Sequence, residues 1–268
     1  MTAAIQTGRI AFQGEPGAYS HEACAMARPG MEALPCRTFE EVIDAVRDGA
    51  ADLAMLPVEN STYGRVADIH RLLPDSGLHI VDEAFVRVRI ALMSLPGTRL
   101  DQVHHVRAHL VLIPQARGFL RRHGIAAEAA ADSAGAAAEL ARHRTPGQGV
   151  LARDIEDNHH NTPRFLVMAP EPDLRPRGES GMVTTFVFQV RNIPAALYKA
   201  MGGFATNGVN MTKLESYMVG GSFTATQFYA DIEGHPDDPA VDRALDELRL
   251  FTSMLKILGT YPAHPARR

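Results

Sequence analysis

The chain has 268 residues and a net charge of −4, with 46% hydrophobic and 22% charged residues. This is the composition of an ordinary globular protein, long enough for one large domain or two medium ones. The charge gives no reason to expect a nucleic acid or an anionic membrane as partner, and no apolar run approaches the ~20 residues that span a bilayer.

The first eight residues have neither the basic region nor the apolar core of a signal peptide. Cys24 and Cys36 do not have the spacing of metal ligands. We therefore expect a cytoplasmic protein with two reduced thiols.

The first predicted strand, residues 9–12, opens into a turn that contains Gly14 and Gly17. Glycines let the backbone come close to a ligand. Ser20 precedes a predicted helix over residues 21–27, and the free amides at a helix start favour an anion. The pattern predicts a ligand-binding turn.

A polar loop follows the strand predicted at residues 52–57. A strand that stops in such a loop places its polar side chains at the carboxyl edge of a sheet, where α/β proteins bind ligands. The loop contains Glu59, Asn60, Ser61, Thr62 and Gly64. One carboxylate, one amide and two hydroxyls suit a small polyoxygenated substrate. A loop whose serine or threonine caps the next helix is the alternative interpretation.

From residue 9 to about 168, short strands alternate with helices, which predicts an α/β region with a mostly parallel sheet. A capping box formed by Thr38 and Glu41 predicts the start of one helix. Residues 79–94 are β-rich and could carry the chain into a second lobe. Residues 109–123 predict a helix of that lobe, interrupted near Pro114.

A polar stretch leads into a strand predicted at residues 165–168. Residues 169–181 are rich in proline, glycine and charge, and they predict a linker. Beyond the linker the predicted order is β-α-β-β-α-β over residues 182–262, with an Asn-Gly turn at residues 207–208. This order predicts a ferredoxin-like unit.

Three of these segments together resemble the prephenate dehydratase family: the glycine turn before Ser20, the run over residues 57–66, and the polar stretch that ends in Arg164 and Phe165. The resemblance covers nearly the whole chain. It implies a two-lobe, periplasmic-binding-protein-like catalytic region over residues 9–168, with a cleft between the lobes, followed by an ACT regulatory domain. Family members convert prephenate to phenylpyruvate, carbon dioxide and water in phenylalanine biosynthesis.

Aromatisation drives that reaction, so the resemblance implies no metal and no organic cofactor. The protein has to hold two carboxylates, assist the departing hydroxyl with a hydrogen bond or proton, and exclude water. The implied catalytic candidates are Ser20, Glu59, Asn60, Ser61 and Thr162. The implied substrate-binding candidates are Thr62, Gly64, His109, Gln115, Ser133, Arg164 and Phe165.

Arg164 is the candidate for holding a substrate carboxylate, because a guanidinium can donate two parallel hydrogen bonds to it. The alternative interpretation is an ion pair at the surface or between lobes.

The sequence departs from the family at the predicted site. An ungapped match to the family motif Thr-Arg-Phe places Pro163 at the catalytic threonine. The proline side chain cannot donate a hydrogen bond or a proton. Thr162 lies one residue before this position, and in an extended backbone neighbouring side chains point to opposite faces. His109 and Gln115 are retained from a second motif. After Ala137, one family helix of roughly 10–14 residues is expected to be missing.

In the C-terminal unit the resemblance implies phenylalanine binding between subunits. The candidate effector-binding residues are Pro194, Ala195, Ala196, Leu197, Asn207, Gly208, Asn210, Glu215 and Ser216. Ala195 replaces a family glycine, and the Arg-Pro pair that follows Ser216 in the family is absent. A domain that only dimerises the protein is the alternative. We expect a homodimer or a dimer of dimers.

Two other function classes stay open. A repurposed cleft could decarboxylate prephenate without dehydration, or hydrolyse a small acyl, lactone or amide compound. A non-catalytic phenylalanine-responsive binding protein is the second class. The paired histidines at residues 104–105 and 159–160 would diverge on a strand or helix, so we expect no metal site.

Overall fold

A computed structural model of the chain describes residues 7–62, 64–87, 90–110, 112–131, 133–151, 161–173, 181–191, 193–218 and 226–267. The strands are β1 (Arg9–Gln13), β2 (Glu32–Cys36), β3 (Leu53–Asn60), β4 (Gly64–Arg65), β5 (His79–Phe85), β6 (Leu92–Ser94), β7 (His105–His109), β8 (Ala126–Ala130), β9 (Gln148–Leu151), β10 (Pro163–Ala169), β11 (Met182–Val190), β12 (Met211–Met218), β13 (Thr226–Glu233) and β14 (Thr252–Pro262). The helices are α1 (Tyr19–Ala27), α2 (Phe39–Arg47), α3 (Ala67–Leu72), α4 (Leu112–Gln115), α5 (Arg117–His123), α6 (Ser133–His143), α7 (Ala196–Thr206) and α8 (Pro239–Phe251). In the described ranges, every helix is too short or too polar to cross a membrane.

The first sheet has the strand order β2-β1-β3-β10-β5, and β4 pairs with β3 outside this path. Strands β1, β2 and β3 are parallel, while β10 returns antiparallel between β3 and β5. Helices α1, α2 and α3 pack against this sheet. The first lobe thus contains a mixed sheet. Its central strand β10 follows the whole second lobe in the sequence.

The second sheet forms the other lobe, with the order β6-β9-β7-β8. Strand β7 is parallel to β8 and β9, and β6 is antiparallel to β9. The helix predicted over residues 109–123 is divided, since β7 ends at His109 and α4 and α5 are separated at Ala116. Helix α6 fills the segment after β8, and residues 144–147 join it to β9. The missing family helix stays a prediction.

The third sheet has the order β12-β13-β11-β14, and all its pairs are antiparallel. Together with α7 and α8 it has the predicted β-α-β-β-α-β order, so the ferredoxin-like architecture is confirmed. Proline suits the first turn of a helix, so the sequence predicts that the first helix of this unit begins at Pro194, and this start is wrong by two residues. Helix α7 begins at Ala196, after Ala195 in a left-handed conformation with φ 58°.

Helix α2 begins as its capping box predicts. The Thr38 side chain accepts a hydrogen bond from the Glu41 backbone N–H at 3.1 Å, and the Glu41 carboxylate accepts one from the Arg37 N–H at 2.7 Å. Val42 and Val46, one turn apart, are buried against the sheet. Local capping and an apolar stripe therefore explain this helix without any distant partner.

One hydrophobic core joins the first sheet to the C-terminal sheet. Ile80 and Leu166 of the first sheet share it with Val187 of β11 and Leu258 of β14. At Gly259 the two sheets approach so closely that a Cβ atom would lie 2.0 Å from the Ile80 carbonyl oxygen. Glycine has no Cβ atom, so the two backbones can come into contact here. The two sheets therefore pack together without a gap.

Candidate active site

Strand β10 presents Arg164 to the C-terminal sheet. The Arg164 Nε donates to Glu83 at 2.8 Å, and Nη1 donates to Glu59 at 2.8 Å and to Asp231 at 2.7 Å. Nη2 donates to the Tyr261 hydroxyl at 2.8 Å. Arg164 is 2% exposed. Four of its five N–H donors are thus used inside the protein. These contacts lie neither at the surface nor between the two lobes, where the alternative interpretation placed an ion pair, because Asp231 and Tyr261 belong to the C-terminal sheet.

We call the charged groups around Arg164 the ionic cluster. It consists of Arg164, Lys213, Arg267, Glu59, Glu83 and Asp231. Three cations face three anions, which is the balance that buried charges require. Burial alone would raise the pKa of the Asp231 carboxyl, but the guanidinium groups of Arg164 and Arg267 outweigh it and hold that pKa below its usual value.

Glu59 belongs to this cluster because of a β-bulge. In the pairing of β10 with β3, Arg164 lies opposite Glu59 while Phe165 lies opposite Pro57, so Val58 is the extra residue. A bulge re-aims the side chains beside it. Glu59 consequently contacts Arg164 and Lys213 rather than lying in the polar loop predicted to hold it. The strand itself continues to Asn60, three residues beyond its predicted end.

The other face of β10 looks toward helix α1 and the second lobe. Phe165 is buried in a core with Phe12 of β1 and Cys24 of α1. Tyr19, the first residue of α1, packs against this core and also against the core of the second lobe. Pro163 lies directly opposite Asn60 in the sheet, so these two side chains share this face. The face therefore borders the junction between the lobes.

The structure brings four predicted site residues together at the end of β3 and the start of β10. The Thr162 backbone N–H donates to the Ser61 hydroxyl at 2.8 Å, and the Ser61 N–H donates to the Thr162 carbonyl at 3.2 Å. The Asn60 side-chain oxygen accepts from the Thr62 N–H at 2.8 Å. These local bonds hold the hydroxyl-bearing turn against the strand that carries Pro163.

A hydrogen bond between two amides links the lobes at this point. The Asn161 Nδ2 donates to the Gln115 Oε1 at 2.5 Å, and both residues are nearly buried. Gln115 comes from α4 of the second lobe and was predicted for the site. Asn161 was not predicted. Its signal in the sequence is its position two residues before Pro163, on the same side of an extended strand.

The remaining candidates lie at the start of α1 and in the second lobe. Ser20 is in the first turn of α1 and 8% exposed, rather than preceding the helix as expected. Nearby, the Gly17 N–H donates to the His21 Nδ1 at 3.0 Å. The His109 N–H donates to the Ser133 hydroxyl at 3.1 Å, which joins the end of β7 to the start of α6.

The effector-binding candidates divide into two groups. Pro194, Ala195, Ala196 and Leu197 surround the start of α7, and Asn207 and Gly208 form the turn at its end. In that turn the Asn207 Nδ2 donates to Glu247 at 2.9 Å, and its Oδ1 accepts from Arg243 at 2.9 Å.

The second group lies where β12 meets the first lobe. Glu215 is 3.5 Å from the Lys213 Nζ and 3.9 Å from an Arg65 nitrogen, and Arg65 also donates to the Ser216 carbonyl. Asn210 accepts a backbone hydrogen bond from Glu233 at 2.9 Å. Glu215 and Ser216 therefore take part in the contact between the lobe and the C-terminal sheet.

Within the described ranges, no three histidine, cysteine, aspartate or glutamate side chains form a group that could hold a metal ion. His104, His105 and His109 belong to those ranges, whereas residues 159–160 lie outside them.

A sequence model of the prephenate dehydratase family matches residues 10–173. The chain is 49% identical to the bifunctional N-acyl-homoserine lactone acylase/prephenate dehydratase of Komagataeibacter europaeus, over 97% of each protein. It is 34% identical to arogenate dehydratase 2 of Petunia hybrida, over 95% of this chain and 72% of that protein.

Among solved structures, the chain is similar to the prephenate dehydratase of Arthrobacter aurescens in complex with L-Phe. The TM-score is 0.84 and the identity 26%, over 95% of this chain and 90% of that chain.

Proposed function

The chain belongs to the prephenate dehydratase family, and from this premise we propose that it converts prephenate to phenylpyruvate, carbon dioxide and water. The observation that carries the proposal is the amide pair of Asn161 and Gln115, which joins the two lobes beside the Ser61 hydroxyl, itself held by the backbone N–H of Thr162, the residue after Asn161. Neutral donors and acceptors thereby converge at the lobe junction, where the family chemistry needs them.

The reaction asks little of the protein beyond positioning and hydrogen bonding. The electron pair of the breaking carbon–carboxylate bond enters the ring, and the ring hydroxyl leaves with its own bonding pair. Donors directed at the departing oxygen stabilise the charge that develops there, most strongly in a site closed to water. Hydroxyls and amides from Ser20, Asn60, Ser61 and Gln115 are of the right type, and His109 and Ser133 offer further contacts from the second lobe.

Two earlier candidates do not enter this proposal. Arg164 and Glu59 bind each other in the ionic cluster on the opposite face of β10. A substrate carboxylate therefore needs other partners, and the first turn of α1 is a candidate because helix starts bind anions.

We further propose that residues 9–168 form the catalytic region and residues 182–262 an ACT domain that binds L-phenylalanine in a cytoplasmic homodimer. The ferredoxin-like architecture and the similarity to a dehydratase in complex with L-Phe support this proposal. The effector would contact the ends of α7 and reach the catalytic region through the ionic cluster. Dimerisation alone is the alternative role.

Two substrate alternatives have specific support. The similarity to a plant arogenate dehydratase favours arogenate, which carries an amine where prephenate has a keto group. The identity of 49% to a bifunctional acylase/dehydratase favours hydrolysis of N-acyl-homoserine lactones as a second activity. Both alternatives are tested with the same purified protein.

The decisive experiment measures phenylpyruvate formation from prephenate by the purified chain, with and without L-phenylalanine. We expect turnover that phenylalanine reduces. Parallel reactions with arogenate and with an N-acyl-homoserine lactone report phenylalanine and free homoserine lactone, respectively. Turnover of the lactone alone would replace the dehydratase proposal with the acylase. Absence of all three products, with retained L-phenylalanine binding by calorimetry, would support a binding protein.

A further inference from the structure

The two faces of strand β10 pack against different parts of the protein. A residue that replaces the missing threonine has to lie on the face that borders the second lobe. Arg164 and Leu166 face the C-terminal sheet, whereas Phe165 and Val167 face α1 and the second lobe. Side chains alternate along a strand, so position 163, where the family has its threonine, belongs to the second of these faces.

Thr162 and Asn161 lie on opposite sides of this strand. A residue before proline is held extended, so the side chains that flank Thr162 lie on the same side of the backbone. Asn161 thus shares the face of Pro163, while Thr162 shares the face of Arg164. The hydroxyl one residue away from Pro163 is directed away from the lobe junction, and the amide two residues away is directed into it.

The Asn161 side chain is buried but incompletely hydrogen-bonded. It is 1% exposed, and one Nδ2 hydrogen goes to the Gln115 Oε1. Its Oδ1 has no hydrogen-bond partner among the residues that the structure describes. A buried carbonyl without a donor is costly, which favours a site that a ligand completes.

Gln115 fixes the orientation of this amide. Because its Oε1 can only accept, the Asn161 Nδ2 has to lie toward α4, and the Oδ1 has to lie on the other side. The amide therefore offers one remaining N–H and one acceptor in a defined arrangement. A hydroxyl group, which both donates and accepts, matches that pair.

We propose that Asn161, and not Thr162, contacts the ring hydroxyl of the substrate and takes over the role of the family threonine. This inference rests on the proposed dehydratase function. The second N–H of the Asn161 Nδ2 donates a hydrogen bond to the departing oxygen, which takes the electron pair of the breaking carbon–oxygen bond with it. The oxygen leaves the ring as hydroxide, and one proton taken up from the bulk solvent converts it to water, so that prephenate dianion and a proton give phenylpyruvate, carbon dioxide and water. Asn161 stabilises the departing oxygen without losing a proton. Gln115 acts as a positioning residue.

The test compares steady-state kinetics with prephenate for Asn161→Ala and for Thr162→Val as the matched control. Loss of one donor to developing charge lowers kcat by ~10²–10³, so we expect a reduction of about 100-fold for Asn161→Ala with KM changed only a few-fold. Thr162→Val keeps its shape and is expected to stay within about threefold of the wild type in kcat. In the Asn161→Ala background, Pro163→Thr is expected to restore kcat at least about tenfold, since it returns a hydroxyl to the same face.

Melting temperatures separate this effect from loss of fold. If Asn161→Ala does not fold, Asn161→Asp keeps the shape and the acceptor but removes the N–H, and we expect the same loss of kcat. A wild-type enzyme that turns over prephenate while both Asn161 variants keep its kcat overturns the inference alone. A loss in Thr162→Val as large as that in Asn161→Ala also overturns it. A wild type without turnover overturns the proposed function and this inference together.

Discussion

The Arg164 Nη1 lies 2.7 Å from the Asp231 Oδ2, and this contact ties β10 of the first sheet to β13 of the C-terminal sheet. Arg164 is 2% exposed and Asp231 0%. Since β10 continues directly from Asn161 and Thr162, the candidate active site and the C-terminal sheet are joined through one strand. A displacement of Asp231 would therefore act on Arg164, which lies two residues after Thr162.

Replacing Arg164 tests how much the ionic cluster contributes to the free energy of unfolding. Arg164→Met leaves Glu59, Glu83 and Asp231 with fewer cations, and breaking a buried ion pair costs about 3–5 kcal/mol. We expect a loss of that size in the free energy of unfolding, measured by urea denaturation at pH 7. Arg71→Met is the matched control, because the Arg71–Glu40 pair is exposed and such pairs contribute about 0–1 kcal/mol. Equal effects of the two substitutions would contradict the prediction.

His70 predicts a pH dependence of stability. Burial is the main cause that lowers its pKa from 6.5 to about 4. Between these values the unfolded chain binds a proton that the folded chain does not, so stability falls as the pH decreases through this window, by about 3 kcal/mol in total. His70→Phe keeps an aromatic ring beside Tyr217 and Tyr229 and carries no group that titrates, so we expect it to remove this loss. The exposed His143→Gln is the control.

The measurement is urea denaturation of each variant at several pH values from 7 to 4. A His70→Phe profile that still falls as steeply as that of the wild type contradicts the assignment. Asp231 and Glu59 act in a different window. Their lowered pKa values mean that their contribution is complete above the ordinary values of 3.8 and 4.5 and is lost as the pH falls below them.

Pro163→Thr restores the family hydroxyl opposite Asn60, on the face that borders the second lobe. We expect a several-fold increase in kcat with prephenate, because a second donor joins the site. Pro163→Ala is the control, since it removes the ring without adding a hydroxyl. If Pro163→Thr is no faster than Pro163→Ala, the ungapped match to Thr-Arg-Phe is refuted.

Ala195 predicts a stabilising substitution. Its φ of 58° and ψ of 24° lie in the left-handed region, which costs roughly 1–2 kcal/mol for a residue with a Cβ. Glycine avoids that cost, but it also raises the conformational entropy of the unfolded chain, which offsets part of the gain. Ala195→Gly is therefore expected to stabilise the protein by about 0.5–1 kcal/mol. Ala205→Gly, exposed within α7, should instead destabilise it by about 0.5–1 kcal/mol. Thermal unfolding distinguishes the two directions.

The C-terminal unit could be predicted from the sequence because its elements follow local rules. Short, mostly apolar runs indicate β11 and β13, and the turn at Asn207 and Gly208 separates α7 from β12. The start of α2 follows in the same way from Thr38 and Glu41. These features depend on neighbours a few residues away, which periodicity and capping patterns describe well.

The candidate site was harder to predict because its decisive contacts are distant in sequence. Glu59 was expected in a ligand-binding loop, yet a bulge at Val58 turns it toward Lys213, which is 154 positions away. Arg164 was expected at a carboxylate, but its partner Asp231 is 67 positions away. No local pattern encodes such pairs. Asn161 was missed for the opposite reason: its signal is local, but it matters only once Gln115 is placed beside it.

The core shared by the two sheets also has a consequence during synthesis of the chain. Ile80 and Leu166 leave the ribosome well before Leu258 and Gly259 of β14, which pack against the first sheet in the finished protein. The apolar face of the first sheet therefore stays exposed to solvent until β14 has been translated. A nascent chain that pauses before that strand presents the kind of surface that chaperones bind and that aggregates form from.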